Sequence, residues 1–495
     1  MKQSVDNFFR AGGAAVIKPG LERIKKLLEL IGNPQHDLKV IQIAGTNGKG
    51  SFGCYCNAIL AQADFRVGWF SSPHLVRRSE SIRVINGSRD LMRLLTDETY
   101  GEISEASVLH YMEILNLAID KMEDSDTGIP SEFERLTAMA CLHFQAEHCD
   151  VVIMEAGMGG LEDATNIFSA PLVSVITALG FDHAAWLGAD AESVASHKAG
   201  IIKKNRPVWL YDPLDAFAGV DEAEAALKII QRVCGEKKAV LNIVSSNDYE
   251  VISRDVSGQS FRLKSLGEIS FDIVMPAVYQ PQLAAMAIAV CLYLLKNELG
   301  FGSSFINDKS SAKLLQNIIV PSIRLARWPG RFEVLAGASE KRGLVILDGA
   351  HNPQGCQALA DTLGELTAGR RIIFLVGMLA DKDVELMLQP LLMSDRYVVD
   401  SVICTTPLNA RALAAYALAE HIAAITEREL FALPTMHHNS YNDADLVFYS
   451  EDVGIATDYA VSLNDSSDKV LCVFGSLYLI GVVRQLLLPG ENTEQ

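Results

Sequence analysis

Apolar residues along this chain follow two rhythms. Positions 21, 24, 27, 28 and 31 are spaced for one buried helix face, and Gly32-Asn33-Pro34 ends that helix. Val40 to Ala44 then reads as a buried strand, Phe52 to Leu60 as a helix, and Val67 to Phe70 as a second strand. Ser88 to Thr127 is polar and predicts a loop followed by a helix, and Phe133 to Glu147 has helical periodicity. Asp150 to Glu155 and Leu172 to Thr177 are two more apolar strands. Strands alternating with helices predict a parallel sheet with right-handed crossovers. Ligands of such sheets bind beyond the carboxyl ends of the strands.

The rhythm weakens from Val208 to Phe271, which reads as short strands around turns such as Ser257-Gly258. Gln282 to Leu295 is an alanine-rich helix. Pro321 to Arg331 is bounded by prolines and predicts a linker, so the expected domains are 1–320 and 332–495, joined by 321–331. Leu344 to Leu347, Ile372 to Val376, Val399 to Cys404 and Val470 to Phe474 are strands of a second α/β pattern. Leu433 to Asp465 is polar and reads as an insertion or loose connection, and Pro489 to Gln495 as a disordered tail.

At 495 residues the chain is long enough for two or three domains, each with its own core. No run is long and apolar enough for a membrane span, and Met1 to Pro19 has no signal-peptide core. The nine cysteines are scattered without a C-x-x-C pair, which fits reduced thiols in a cytoplasm. Cys54 and Cys56 fall inside the first strand-following helix and read as packing. A net charge of −18 argues against nucleic acid as a partner. An acidic substrate must then be held by local cations.

Chemistry concentrates at strand ends. Gly45-Thr46-Asn47-Gly48-Lys49-Gly50-Ser51 follows a strand and opens a helix, the order a phosphate cradle needs. Its backbone N–H groups would face phosphates, Lys49 would reach the terminal ones and Ser51 a magnesium ion. The strict pattern is not met: Ile43 stands at the first glycine position and Gly50 separates Lys49 from Ser51. Ser72, Glu155 and His183 follow other strands and could hold Mg²⁺ with the nucleotide, because magnesium takes oxygen ligands. His183 reads equally as a hydrogen-bonded strand-end histidine, and Lys198 as a solvated helix residue.

Together these stretches resemble the folylpolyglutamate synthase and dihydrofolate synthase family of the Mur ligase superfamily. The resemblance is carried by the cradle, Ser72-Pro73-His74-Leu75, Phe133-Glu134 with Thr137-Ala138, and Glu155 through Asn166. It continues through Asp182-His183 with Leu187-Gly188, Lys198 to Lys203, Pro329-Gly330-Arg331, Asp348 to Pro353, Asp381-Lys382-Asp383 and Gly475 to Tyr478. It implies an α/β fold: a P-loop-containing, mostly parallel sheet domain followed by a smaller Rossmann-like C-terminal domain. It implies a cytoplasmic, monomeric enzyme without membrane attachment that uses ATP and Mg²⁺ to join L-glutamate to a folate through an acyl phosphate.

The resemblance also implies roles. Asn47, Gly48, Lys49, Gly50, Ser51, Arg331 and Asp348 would bind ATP. Ser51, Ser72, Glu155 and His183 would hold metal. Lys49, Lys198 (as a carbamate) and His351 (near the incoming glutamate) would serve catalysis. Gly20, Leu21, Glu22, Ser131 and Leu161 would meet the acceptor. The site would lie in a cleft between domains, gated by closure near Arg324. Leu161 stands where the family usually has arginine, which bears on dihydropteroate. Tyr279, Leu283 and Ser81 replace a histidine, an asparagine and an arginine. Those changes keep two other readings open: a related ligase acting on a non-folate carboxylate, and a nucleotide-binding protein without catalysis.

Overall fold

The strand that delivers the cradle, β1 (Val40–Ala44), is buried at every position. The computed structural model describes residues 8, 20–123, 127–300, 314–335, 343–433 and 446–488. Six further strands join β1: β2 (Arg66–Phe70), β3 (Ile82–Asn86), β4 (Val151–Glu155), β5 (Val173–Ile176), β6 (Val208–Tyr211) and β7 (Leu241–Val244). Their order is β3-β2-β4-β1-β5-β6-β7. All pairings are parallel except β2 with β3 at the edge. β1, β4 and β5 are wholly buried, as parallel strands covered on both faces must be. One core joins Val40, Phe70, Val152 and Met154 to helices Glu22–Leu30, Glu105–Glu123 and Glu132–Ala146. A second joins Ala44, Ile176, Val208 and Leu210 to helices Ala191–Ala199 and Val220–Lys237.

Three strands, β8 (Tyr249–Asp255), β9 (Gly258–Leu263) and β10 (Ser270–Ile273), form a small sheet in the order β10-β9-β8. The second large sheet is built from β11 (Glu333–Leu335), β12 (Leu344–Leu347), β13 (Arg371–Val376), β14 (Val398–Thr405), β15 (Glu429–Ala432), β16 (Leu446–Ser450) and β17 (Lys469–Phe474). Its order is β11-β12-β17-β13-β14-β16-β15, antiparallel only between β11 and β12. Phe374, Val376, Cys472, Phe474 and Leu363 sit in its core. The chain divides into two compact units. The first comprises residues 1–250, 261–272 and 281–326, and the second 251–260, 273–280 and 327–495.

Four stretches differ from the pattern-based expectation. The irregular stretch after Val208 holds an 18-residue helix, Val220–Lys237. Its buried stripe is Ala223, Ala226, Ile230 and Cys234, helical in spacing but made largely of small side chains. The polar stretch from Leu433 contains β16 and the helix Val453–Leu463. In Ser88–Thr127 the expected loop begins as a helix, Gly87–Leu94, before Glu105–Glu123. The edge strand β3 was not expected, because a half-polar strand at a sheet edge lacks the apolar run of its neighbours. The tail from Pro489 lies outside the described residues. No helix among the described residues is long and apolar enough to cross a membrane. All nine cysteines are free thiols, eight of them buried.

Candidate active site

The cradle's shape is set by two glycines. Gly45 has φ +153°, and a methyl group there would sit 1.9 Å from Thr177 Oγ1. Gly48 has φ +88° and caps the following helix. That helix starts at Lys49, three residues before the apolar rhythm indicates. Its backbone ladder opens with Phe52 N–H donating to Gly48 O at 2.9 Å, so the N–H groups of Lys49 and Gly50 lie ahead of it in the first turn. The loop is tied to the chain after β5. Thr46 and Asn47 N–H donate to Ala178 O at 2.9 and 3.1 Å, and Thr46 Oγ1 donates to Gly180 O at 2.8 Å. Leu283 packs against the cradle: a methyl at Gly48 would meet both its Cδ atoms at 2.9 Å.

Two lysines converge on one carbonyl. Lys49 Nζ donates to Gly45 O at 3.0 Å and Thr46 O at 3.2 Å, and Lys198 Nζ donates to Gly45 O at 2.9 Å. Lys198, in the last turn of Ala191–Ala199, is 4% exposed. Burial, then the charge of Lys49, bring its amine down to about 7. Asp163 opposes that shift. Burial raises its own carboxyl above the usual range, against hydrogen bonds from Met158 N–H, Thr165 N–H and Thr165 Oγ1 at 2.8, 2.9 and 2.6 Å. Lys198 is therefore a buried, readily deprotonated amine and not a solvated helix residue.

The neighbouring strands β4 and β2 bring the other candidates to the same edge. Glu155 ends β4 opposite Ile43 and is buried. Ser72 follows β2, and its buried Oγ has no hydrogen-bond partner among the described residues. Ser51 is buried in the first turn of the helix. His183 lies seven residues past the end of β5, at φ +53°, with its side chain 37% exposed and Nε2 3.9 Å from Asp182 Oδ2. No group of three or more His, Cys, Asp or Glu among the described residues converges as a metal site. A hard cation suits this donor set all the same: one buried carboxylate, an orphaned hydroxyl and a second hydroxyl leave coordination positions for phosphate oxygens and water.

Sequence reasoning did not single out what holds Ser72's loop. The Glu80 carboxylate accepts from the N–H groups of Leu75 (2.8 Å), Val76 (3.2 Å) and Arg77 (2.8 Å). Glu102 accepts from Arg77 (2.8 Å), Ser79 (2.6 Å) and Arg83 (3.2 Å). The Arg77–Glu80 spacing, a capping box, is the only local signal.

The candidate acceptor positions fall into two groups. Gly20, at φ +122°, with Leu21 and Glu22, opens helix Glu22–Leu30. Ser131 caps helix Glu132–Ala146, accepting from Glu134 N–H at 3.2 Å. The two helix starts are linked where Arg23 Nε donates to Glu134 Oε2 at 3.1 Å. Leu161 stands apart from them, 48% exposed, with its N–H donating to His197 O at 2.8 Å beside Lys198.

In the second unit, Asp348 follows β12 and is buried. Burial raises its carboxyl, while nearby Arg331 and the N–H groups of Ala350 (2.8 Å) and Phe332 (2.7 Å) pull the other way. His351 Nδ1 is 2.7 Å from Gly349 O, and Asn352 caps helix Pro353–Leu366. Tyr279, half-buried near Asp348 and Arg331, has its phenol pushed up by burial and then by Asp348. The structure thus brings Asp348, Arg331 and His351 together around one strand end.

Known proteins resemble this chain in sequence and fold. Residues 330–477 match the family model described as Mur ligase, glutamate ligase domain. A dihydrofolate synthase/folylpolyglutamate synthase of Mycobacterium tuberculosis is 33% identical over 418 residues, 81% of this chain and 77% of that one. The enzyme of the same name from Bacillus subtilis is 31% identical over 381 residues, 76% of this chain and 79% of its own. Among solved structures, the M. tuberculosis folylpolyglutamate synthase complexed with ADP and AMPPCP superposes with TM-score 0.75 at 27% identity, covering 99% of this chain and 98% of that one. A bifunctional folylpolyglutamate synthase/dihydrofolate synthase with Mn, AMPPNP and L-glutamate bound gives 0.70 at 28%, covering 98% of each. Identity at this level across three quarters or more of both sequences places the chain in the dihydrofolate synthase/folylpolyglutamate synthase family of Mur ligases.

Proposed function

We propose that this protein is an ATP-dependent ligase that joins L-glutamate to a folate. The observation that carries the reading is the edge shared by β2, β4 and β1, where a glycine cradle, two converging lysines, a buried carboxylate and an orphaned hydroxyl sit at adjacent strand ends. A carboxylate is a poor electrophile. Its oxygen attacks the γ-phosphorus of ATP, ADP leaves, and the acid becomes an acyl phosphate. The amine of glutamate then attacks that carbonyl, phosphate departs, and the amine proton is lost as the amide forms.

The chain's residues supply position and charge for both steps. The cradle N–H groups hold the phosphates, and Lys49 exchanges its two loop carbonyls for γ-phosphoryl oxygens as negative charge builds there. Glu155, Ser72 and Ser51 would hold Mg²⁺, with His183 at a second metal, and the cation would neutralise phosphate charge. Asn47 completes the cradle. Lys198, its amine lowered to about 7 and so partly unprotonated near neutral pH, is suited to add to CO₂ and release a proton, becoming a carbamate anion that would support a cation site. Arg331 and Asp348 serve as nucleotide contacts and His351 as a contact of the incoming glutamate. Gly20, Leu21, Glu22, Ser131 and Leu161 are proposed acceptor contacts. Residues 1–320 would form the ATP-binding domain and 332–495 the C-terminal ligase domain, joined by 321–331. We propose also that the enzyme works as a cytoplasmic monomer without nucleic acid, as nine free thiols and a charge of −18 favour.

The test is incubation with ATP, Mg²⁺ and labelled glutamate, with tetrahydrofolate, dihydropteroate or a UDP-linked muropeptide as parallel acceptors. Label joined to a folate is the expected result. Label joined only to the muropeptide, or to nothing while ATP still binds, overturns the reading.

A further inference from the structure

The turn that carries Arg331 is held through its main chain at Gly330 and Phe332. Gly330 N–H donates to Glu333 Oε2 at 3.0 Å, Gly349 N–H donates to Gly330 O at 2.8 Å, and Phe332 N–H donates to Asp348 Oδ2 at 2.7 Å. Gly330 and Phe332 both have positive φ, +71° and +49°, so the chain reverses on either side of Arg331. Phenylalanine takes that conformation only where its surroundings impose it. Glu333 is itself gripped by Arg484 from helix Leu477–Leu487. The Arg484 Nε donates to both carboxylate oxygens at 3.0 and 2.9 Å, and Nη2 to Oε1 at 2.8 Å.

The Arg331 guanidinium stands in contrast. Among the described residues it pairs with no carboxylate, and its hydrogen bond is to the adjacent Gly330 O at 3.3 Å. Its Nη1 lies across the face of Gly349, where a methyl group would come within 2.0 Å of it. Gly349 is not in the left-handed region, so what requires a glycine there is the guanidinium and, at 2.5 Å, a methyl of Leu477. A planar cation lying against a glycine, with one weak hydrogen bond to Gly330 O and no carboxylate partner among the described residues, is poised for an anion.

We propose that Gly349 and the Glu333–Arg484 ion pair are positioning residues that fix the Arg331 guanidinium for the phosphates of ATP. This rests on the reading of Arg331 as a nucleotide contact. Alanine at Gly349 would push the guanidinium aside, because the obstructing atoms are ends of flexible side chains. Removing charge at Glu333 would free Gly330 and let the turn relax.

The experiment compares Gly349→Ala, Glu333→Gln, Arg484→Met, Arg484→Lys and Arg331→Ala in the full-length protein. It measures KM for ATP and for glutamate, the Kd for ADP, and the melting temperature. Expected is a roughly tenfold rise in KM for ATP and Kd for ADP with Gly349→Ala, and a smaller rise with Glu333→Gln and Arg484→Met. The KM for glutamate should stay unchanged, and Arg484→Lys should recover part of the loss. In an Arg331→Ala background, Gly349→Ala should add nothing. If Arg331→Ala weakens ATP binding while Gly349→Ala and Glu333→Gln do not, or if the two effects simply add, the positioning role is wrong. If Arg331→Ala leaves ATP binding intact, the nucleotide reading of Arg331 fails instead. Should Gly349→Ala not fold, Glu333→Gln decides.

Discussion

The two strand-end turns solve opposite problems. After β1, the Lys49 and Gly50 N–H groups lie ahead of the helix's first bond, and two lysine side chains rest on the loop's own carbonyl at Gly45. Beside β12, Glu333, Asp348 and Gly349 occupy the main chain of the Arg331 turn, and the side chain pairs with no carboxylate among the described residues, holding only Gly330 O. In the first turn the backbone offers the contacts to an anion. In the second the backbone is immobilised so that one guanidinium can. Glycine serves both, once to let N–H groups turn outward and once to clear space for a neighbour.

That contrast can be broken most severely at the cradle. Lys49→Ala should lower kcat on the order of 10²–10³-fold or more, with an unchanged circular dichroism spectrum, since it removes charge that matters as phosphate is transferred. Glu155→Ala should behave alike. Near-normal kcat in either variant would show the edge of β1 and β4 is not the reacting site. Next in size is Leu283→Asn, which restores the family's usual residue. Because Leu283 is buried against Gly48, the amide should cost roughly 2–4 kcal/mol, read as a lower denaturation midpoint. An unchanged midpoint would mean the cradle does not depend on that apolar contact.

Lys198 gives a pH-dependent sharpening. Its amine is at about 7 in the fold against an ordinary 10.5, so between those values the unfolded chain binds more protons. Stability should therefore rise as pH climbs from about 7 towards 10.5, and the penalty of a buried ammonium should be constant below 7. The melting temperature of the wild type relative to Lys198→Met should increase from pH 6 to pH 9. A flat difference would mean that the amine is already modified or not buried. The smallest effect is expected from Leu161→Arg. The site is half exposed, so stability should change by less than about 0.5 kcal/mol. The variant should use dihydropteroate better relative to tetrahydrofolate, measured as a ratio of kcat/KM, and an unchanged ratio would remove Leu161 from the acceptor site.

What could be read from the sequence follows from how strongly each segment is buried. β1, β4, β5 and β12 are apolar runs with chemistry at their carboxyl ends, and they stand where the pattern puts them. Helix Val220–Lys237 was hidden because alanine and cysteine make its buried stripe, and edge strand β3 because it alternates with polar residues. β16 was hidden by its position beside polar chain. Within the candidate site, residue types and strand ends pointed to Lys49, Glu155 and Asp348. The lowered amine of Lys198 depends on burial and on Lys49, 149 residues away along the chain, and no local spacing encodes it. The clamps by Glu80, Glu102 and Arg484 are likewise products of tertiary placement.

Thr46 leans on Gly180 and Gly45 fits against Thr177, more than 130 residues later. During synthesis, then, the phosphate-loop sequence leaves the ribosome long before the segment that shapes it. A nascent chain halted ahead of residue 180 has the letters of a nucleotide site without its form. Competence to spend ATP arrives late in translation, once the chain that supports the loop has emerged.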